Sequence, residues 1–449
     1  MSQSRGLSRG DRRRNEQLKR LRSIVSRERA VLAVDLASDK QVFVLTDHDS
    51  TVLARKTFRC SPWKLDAAIS WGATQAAAAG HRGIVLACEP TGNRWLIVAE
   101  LAVAAGVELV CVQPMLVARA REAEDFTRDK SDDKDALIIA RLTTQLHVYL
   151  PECPDQRWAR LRHLGRRRVQ QIVAETAARQ QVRDLLEYVW PAGLRAAADP
   201  MRAKTWLAAM SVVGCDPAAV RGYGTGAAGR AAFGRAVSAE IGQWGATRVC
   251  WRIIDALIAA ADDSHAVAAH RAGALERAAF ALGDLRLARA GRAEADTRMR
   301  TVIDELGYTE LIDTIPGVSV ISAAAILAET GDLTRFDSAR ALVKHAGLCP
   351  RENSSGRYRG TTTISGRGRP LLRVATWRAV WGALGHNEIL TARHHHLTHR
   401  DHNKLADNQA RVAVAGSLLR QLHAVLTTRT PWDPTIAAGG LTHTRQEAA

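Results

Sequence analysis

The chain has 449 residues and a formal net charge of +17, with 63 Lys and Arg against 46 Asp and Glu. This length allows two or three domains, and the positive charge indicates a polyanionic partner, nucleic acid in preference to a membrane. The seven cysteines are scattered without a CxxC pair, which argues against a disulfide framework or a zinc site. No apolar run is long enough to cross a membrane and the N-terminus has no apolar signal core, so we expect a cytoplasmic protein.

The two ends of the chain are predicted to be tails. Residues 1–29 are basic and polar and contain few apolar side chains. We therefore expect a flexible arm that binds phosphates by charge alone. Residues 431–449 form the second predicted tail.

Residues 30–150 predict an α/β domain. Residues 30–58 contain three apolar runs separated by polar turns, which is typical of strands joined by hairpins. Helices and buried strands then alternate, and a charged loop at 119–130 precedes a last helix capped by Ser131. The predicted helices are 62–80 and 93–106, and the predicted later strands are 83–89 and 107–114. This β-β-β-α-β-α-β-α order is that of the ribonuclease H-like (RuvC-like) fold, with a partly parallel sheet.

Four acids in this domain lie at positions that indicate a shared metal site. Asp35 lies in the first strand, Glu89 ends the fourth, and Asp132 and Asp135 share one face of the last helix. An acid in an apolar strand needs a partner, although a capped turn would also explain Asp35, and first-turn acids also favour the helix dipole. In a ribonuclease H-like fold the four positions converge at one sheet edge. Two Mg²⁺ ions, or Mn²⁺ in their place, would offset the charge and serve phosphoryl transfer.

Residues 151–310 predict a helical, coiled-coil linker. Two long amphipathic runs of basic and Ala-rich sequence flank the region 191–261. Such helices usually pack on each other or on a second subunit. The Gly- and Ala-rich region between them has no clear interpretation from the sequence.

Residues 311–430 predict a mostly α-helical domain. The Pro316-Gly317 turn between short helices is typical of a helix-hairpin-helix, whose backbone N–H groups bind a DNA phosphate, or of a plain helix–helix turn. The His-rich segment 392–404 lacks Cys, so we interpret it as a surface that faces nucleic acid instead of a metal site.

The segment from Arg351 to Arg373 is the strongest phosphate-binding candidate, with six Arg and one acid. Glycine allows close backbone approach and Arg grips phosphate bidentately. Ser354 and Ser355 lie inside it, and these residues alone favour a hydrogen-bond donor over a nucleophile. The predicted nucleic-acid-binding residues are Pro316, Gly317, Arg351, Gly356, Arg357, Arg359, Arg367, Arg369 and Arg373.

Six motifs in one order resemble the DEDD transposases of bacterial insertion sequences, the IS110 family, which includes bridge-RNA-guided recombinases. The resemblance runs over residues 31–427. The motifs are VDLAS, CEPTGNRW, KSDDKDA, IPGVSVISAA, AGLCPRENSSG and ISGRGRPLLR.

The resemblance implies a transposase that cuts and rejoins DNA. It implies a RuvC-like nuclease domain, a coiled-coil linker used in oligomerisation, and a C-terminal transposase domain with a serine nucleophile. The implied nucleophile is Ser355, with Ser354 as the fallback, and it would meet the acids in a composite site between subunits. Asp35, Glu89, Asp132 and Asp135 would be catalytic metal ligands. The implied partners are donor and target DNA, a guide (bridge) RNA, and further copies in a dimer or tetramer.

The sequence departs from the family pattern in three places. Ser319 stands where a second glycine is expected, Gly366 where a lysine is expected, and the region 191–261 is longer than in compact members. Two other functions remain open: a metal-only nuclease of the junction-resolving kind, and a non-catalytic nucleic-acid-binding relic. The presence of all four acids and the serine argues against the relic.

Overall fold

The protein folds into two compact units, Met1–Cys153 and Pro154–Ala449, which are described separately. The computed structural model describes residues 8–125, 132–152, 155–263, 265, 267–351, 354–355, 358–360 and 362–438. Within these ranges no helix is long and apolar enough to cross a membrane.

The first unit is a six-stranded sheet with helices on both faces. Its strands are β1 (Ala30–Val34), β2 (Lys40–Thr46), β3 (Val52–Arg59), β4 (Ile84–Cys88), β5 (Glu108–Val112) and β6 (Val148–Tyr149). Its helices are α1 (Arg9–Ile24), α2 (Pro62–Ala78), α3 (Arg94–Ala104), α4 (Pro114–Asp125) and α5 (Asp132–Thr144). The strand order is β3-β2-β1-β4-β5-β6; β1, β4 and β5 are parallel, and the remaining pairs are antiparallel.

Two apolar layers hold this sheet. Leu32 and Val34 pack with α2 and α3 on one face, whereas Val31 and Ala33 pack with α1, α4 and α5 on the other. Strands β1 and β4 are buried throughout, as expected for central strands that are covered on both faces. The predicted mixed sheet and the predicted order of its first five strands are confirmed.

Two predictions about this unit are wrong. Residues 9–24 are a helix and not part of a flexible tail, because Leu21 and Val25 are buried against the sheet layer. The charged segment from Arg119 to Asp125 belongs to α4 and not to a loop. Pro114, the last residue of the predicted strand 107–114, begins α4, since proline is favoured at the first helical position.

The second unit is almost entirely helical. Its helices begin with α6 (Gln156–Val189), α7 (Pro191–Arg195), α8 (Lys204–Val213), α9 (Pro217–Arg221), α10 (Gly226–Glu240), α11 (Trp251–Ala261) and α12 (Arg271–Glu305). They continue with α13 (Thr309–Asp313), α14 (Val320–Thr330), α15 (Ala339–His345), α16 (Pro370–Ala383), α17 (Glu388–His399), α18 (Asp407–Thr428) and α19 (Pro434–Ala437). Four two-residue strands are β7 (Pro350–Arg351), β8 (Ser354–Ser355), β9 (Tyr358–Arg359) and β10 (Thr363–Ile364).

The long helices α6 and α12 pack along each other, as the sequence predicts. A buried carboxylate ties them together: Glu175 on α6 accepts hydrogen bonds from Arg179 and from Arg289 of α12, and pairs with Arg292 at 3.0 Å. A buried acid with several guanidinium partners fixes the register of two helices. Removing the acid or its arginines would leave a buried charge without a partner, which is costly. A role for this helix pair in oligomerisation stays a prediction.

The region 191–261 forms a small helical bundle at one end of this helix pair. Its core contains Trp190, Trp206 and Phe233, all fully buried. The indole N–H groups of Trp190 and Trp206 donate to the carbonyls of Ala260 and Gly193, at 2.9 and 2.8 Å. The Gly- and Ala-rich stretch is therefore a folded subdomain and not a linker.

The C-terminal helices share their core with the other end of the helix pair. Trp158 and Leu161 of α6 and Met299 of α12 pack in one cluster with residues of α14, α16 and α18. The sequence placed a domain boundary near residue 310, whereas packing is continuous across that point.

Candidate active site and serine hairpin

The first two acids are neighbours at the end of parallel strands. Val34 pairs with Cys88 in the β1–β4 register, so Asp35 and Glu89 directly follow the ends of two paired strands, which lie about 4.8 Å apart. Ala33 and Ala87, two residues earlier, belong to the layer under α4 and α5. Because side chains alternate along a strand, we expect Asp35 and Glu89, one residue past each strand end, to face that same side.

Asp135 joins this site from α5. The helix packs on β1 and β2, and Asp135 is 1% exposed. Arg121 of α4 donates from Nε to Oδ1 at 2.7 Å and from Nη2 to Oδ2 at 2.6 Å, which is a bidentate ion pair. Hydrogen bonding to Asp135 raises the pKa of the Arg121 guanidinium, and the charges of Glu89 and Asp35 raise it further. Three carboxylates thus act on one guanidinium.

The charges of Asp35 and Glu89 also affect the pKa of a buried thiol, Cys88. The Sγ atoms of Cys88 and Cys111 lie 4.0 Å apart on β4 and β5. The hydrogen bond to Cys111 and burial raise the pKa of the Cys88 thiol, and the charges of Glu89 and Asp35 add to the shift. Two residues that are distant in sequence therefore act on the same group from one sheet edge.

The remaining acids of the motif behave differently. Asp132 begins α5, and its side chain lies outside the described part of the chain. Asp133 pairs with Arg55 of β3, away from this cluster. Among the described side chains, no three His, Cys, Asp or Glu residues are grouped closely enough to hold a metal ion. Metal binding by the four acids stays a prediction.

The residues present nevertheless fit a hard cation. Asp135 lies on the helix that packs against β1, Asp35 and Glu89 follow the paired strands β1 and β4, and carboxylate oxygens are the ligands that Mg²⁺ prefers. Each carboxylate offers about four lone-pair directions, so the two that face Arg121 do not exhaust Asp135. Sequence reasoning missed Arg121, because it lies in a run of mixed charges that was interpreted as a loop.

In the second unit, Ser354 and Ser355 lie on a short hairpin. Ser355 pairs with Tyr358, and Ser354 pairs with Arg359. A second short ladder pairs Arg351 with Thr363. Gly356 and Arg357 lie outside the described residues, as do the side chains of both serines and of Arg359.

Backbone contacts anchor the segment that follows this hairpin. Ser365 N donates to the Cys349 carbonyl at 2.8 Å, and Arg369 N donates to the His345 carbonyl at 3.2 Å. Gly368 has φ 151°, and a Cβ there would lie 2.4 Å from the His345 carbonyl oxygen. The glycine is thus required for close backbone packing, in addition to any role in ligand approach.

The predicted phosphate-binding arginines divide into two groups. Arg351 and Arg367 are exposed. Arg369 contacts Glu329 at 3.5 Å, and Arg373 donates to the Ala346 carbonyl at 3.1 Å. The second pair therefore has internal partners that hold the segment in place, whereas the first pair is open to a ligand.

The Pro316-Gly317 turn connects α13 and α14, as predicted. Gly317 has φ 73°, and a Cβ there would lie 2.6 Å from the Gly382 carbonyl oxygen and 2.8 Å from Ala383 Cα. Ser319 caps α14 by accepting from Ser322 N at 3.2 Å. The turn has a packing function against α16, and its contact with DNA stays a prediction.

We expect Gly317→Ala to destabilise the protein by about 2–4 kcal/mol, because the left-handed conformation and the backbone clash both oppose a side chain. Gly214→Ala is the matched control, since Gly214 has φ 59° but open space around it. It should cost only the conformational term, about 1 kcal/mol. Denaturant unfolding checks both, and equal losses for the two variants would contradict the packing role.

Comparison with known proteins places the chain in a family. The sequence model for the IS110-type DEDD transposase matches residues 32–191, and the model described as "Transposase IS116/IS110/IS902 family" matches residues 309–395. The first match contains the acid cluster, and the second contains the serine hairpin and the Pro316-Gly317 turn.

Three curated relatives are similar to this chain. The "Mini-circle putative transposase for IS117" of Streptomyces coelicolor is 27% identical over 362 residues, covering 78% of this chain and 80% of the relative. The "Insertion element IS110 uncharacterized 43.6 kDa protein" of the same organism is 28% identical over 246 residues, with coverage of 54% and 56%. The transposase for insertion sequence element IS1111A of Coxiella burnetii is 38% identical over 63 residues, with coverage of 14% and 17%.

The mixed sheet, its strand-end acids and the matching domain model define the first unit as the ribonuclease H-like domain of a DEDD transposase. The chain belongs to the IS110 family of transposases. It is accordingly an enzyme that acts on DNA in the transposition of an insertion sequence.

Proposed function

We propose that this transposase cuts and rejoins DNA with metal-binding acids in its first unit and Ser355 as the nucleophile in its second. The observation that carries the first half is the placement of Asp35 and Glu89 at the ends of the paired strands β1 and β4, on the sheet against which α5 holds the buried Asp135. The family match over the serine hairpin supports the second half. A bridge RNA would select the donor and target DNA, and the active form would be a dimer or tetramer.

The acids would hold Mg²⁺, and Mn²⁺ would substitute for it. Asp35, Glu89 and Asp135 would be ligands together with Asp132. The metal supplies Lewis-acid polarisation of the phosphate and eases loss of the attacking hydroxyl proton.

Ser355 Oγ would attack the phosphorus of a DNA phosphodiester. A P–O bond to Ser355 forms, the P–O bond to the DNA leaving oxygen breaks, and that oxygen leaves as a hydroxyl after taking a proton. Arg351 and Arg367 would offset the charge that develops on the phosphoryl oxygens. Attack of another DNA hydroxyl on the phosphoserine ester reverses the chemistry and rejoins a strand without an external energy source.

The alternative is a metal-only nuclease. One observation favours it: the acid cluster is built entirely within the first unit, so hydrolysis there would not require the serine hairpin. The two functions differ in whether cut DNA remains bound to the protein.

Recombination of purified components tests the proposal. The protein, RNA transcribed from the DNA that flanks its gene, donor DNA and target DNA should give a recombinant joint in Mg²⁺. Digestion of the RNA before mixing should abolish the joint. Recombination that persists after exhaustive ribonuclease treatment would exclude guidance by RNA.

Arg121 should compete with the metal. Arg121→Gln removes a positive charge that contacts Asp135 directly, so we expect the apparent Kd for Mn²⁺ to fall at least about tenfold. The same variant should melt at a lower temperature in chelator, because a buried carboxylate loses its partner. Titration followed by Mn²⁺ electron paramagnetic resonance and thermal melting checks both.

Arg119→Gln is the matched control, since Arg119 is exposed on the same helix. It should change neither the Mn²⁺ affinity nor the melting temperature. An unchanged Mn²⁺ affinity in Arg121→Gln would show that the ion pair and the metal do not compete.

A further inference from the structure

A groove in the second unit lies between α17, α18 and the C-terminal segment that leads into α19. Its volume is about 1290 Å³. Leu390, Val425 and Trp432 give it an apolar floor, and Arg393 and Arg420 line its walls. No residue of this groove belongs to the serine hairpin or to the acid cluster.

The apolar floor is firmly built. The indole N–H of Trp432 donates to Gln421 Oε1 at 3.1 Å, and its backbone N–H donates to Thr314 Oγ1 at 2.9 Å. Asn387 Nδ2 donates to the same Gln421 oxygen at 2.9 Å. Because α17, α18 and the C-terminal segment are tied together through Gln421, the groove has a defined shape.

Two arginines and one acid, Asp433, line the groove, and the Asp433 carboxylate caps α19 by accepting from Thr435 N at 2.6 Å and from Ile436 N at 3.4 Å. Burial lowers the pKa of the Arg420 guanidinium on α18. The positive charges of Arg393 on α17 and Arg340 on α15 lower it further. Within the described part of the chain, none of the three makes an ion pair or a hydrogen bond. By contrast, Arg411 on the same helix pairs with Asp407.

Like charges held together repel one another, and partial loss of water increases the cost. A protein can keep such a cluster when an anion binds there. The protein has a large positive charge overall and the groove volume of about 1290 Å³ is larger than one phosphate requires, so a polymer of phosphates fits it better than a small anion. An indole beside basic walls is the arrangement that binds unpaired bases by stacking.

We propose that this groove binds an unpaired nucleic-acid strand, with backbone phosphates on Arg393 and Arg420 and bases against Trp432. The inference rests on the proposed function, because it takes the ligand to be a nucleic acid that the transposase handles. A displaced DNA strand and a single-stranded stretch of RNA offer the same phosphodiester chemistry.

The test uses full-length protein with the double substitution Arg393→Ala and Arg420→Ala. Labelled single-stranded DNA, single-stranded RNA and duplex DNA are titrated across a series of salt concentrations, and binding is followed by fluorescence anisotropy. Single-strand affinity should fall at least about tenfold, and the slope of log K against log salt should become shallower by about 1.4, or 0.7 for each lost phosphate contact.

The matched control is the double substitution Arg202→Ala and Arg298→Ala. These two arginines are 80% and 61% exposed, so the control removes the same net charge from elsewhere in the unit. It should leave the slope within experimental error of the wild type. Loss for RNA alone assigns the groove to RNA, loss for DNA alone assigns it to a DNA strand, and equal loss assigns it to both.

Three outcomes would overturn the inference. The groove variant could match the control, duplex binding could fall more than single-strand binding, or the wild type could bind no probe. The first two remove the groove site and leave the proposed recombinase intact. The third removes the proposed function as well.

Discussion

Asp35→Asn should lower the rate of DNA strand cleavage by at least about a thousandfold, because a catalytic metal supplies several kcal/mol and each 1.36 kcal/mol is tenfold in rate. Asp35 follows β1 directly and its charge acts on Arg121 together with Glu89 and Asp135. Substitution by Asn keeps the shape and removes one charge from the metal site. Glu89→Gln should have the same effect. Cleavage of labelled donor DNA in Mg²⁺, followed on a denaturing gel, measures both.

The fold should survive these substitutions, since fewer negative charges in one cluster reduce repulsion. Asp39→Asn is the matched control, because Asp39 is exposed in the turn between β1 and β2. It should cleave at the wild-type rate. Chelation of divalent ions should abolish cleavage by wild type, and restoration should follow addition of Mg²⁺ or Mn²⁺. Undiminished cleavage in chelator, or by Asp35→Asn, would show that the acids do not hold a catalytic metal.

Much of the first unit was predictable from sequence for a simple reason. Short apolar runs bounded by turn residues usually form buried strands, and β1 to β5 lie where those runs are. Asp35 and Glu89 stood out because an acid that extends such a run needs a partner. The register that makes them neighbours depends on long-range pairing of β1 with β4, which only the structure shows.

Local signals failed where tertiary contacts decide the structure. Helix α1 is highly charged, and two apolar residues at its end dock it on the sheet. Arg121 was hidden in a charged run, and its partner Asp135 lies 14 residues away. The sequence did not predict the bundle at 191–261, because its helices are short and Ala-rich. Its stability comes from buried tryptophans that meet only in three dimensions.

Ser355→Ala should abolish the covalent protein–DNA adduct and all recombinant product, while binding of RNA and DNA persists. The residues Asn353 to Tyr358 contain no His or Lys, so no neighbour in sequence serves as a general base for the hydroxyl. A serine hydroxyl is a weak nucleophile at neutral pH without activation by a base or a metal. We therefore expect adduct formation to require both Ser355 and a divalent cation. Denaturing gels of labelled DNA detect the adduct, and mass spectrometry locates it.

Ser354→Ala is the control, since Ser354 precedes Ser355 on the same strand and pairs with Arg359. The family resemblance assigns the nucleophile to Ser355 and not to Ser354. Ser354→Ala should thus retain both adduct and recombination. An adduct that persists in Ser355→Ala and disappears in Ser354→Ala would move the nucleophile by one residue. Cleavage by wild type with no adduct at any time would instead favour the metal-only nuclease, because hydrolysis leaves no bond between protein and DNA.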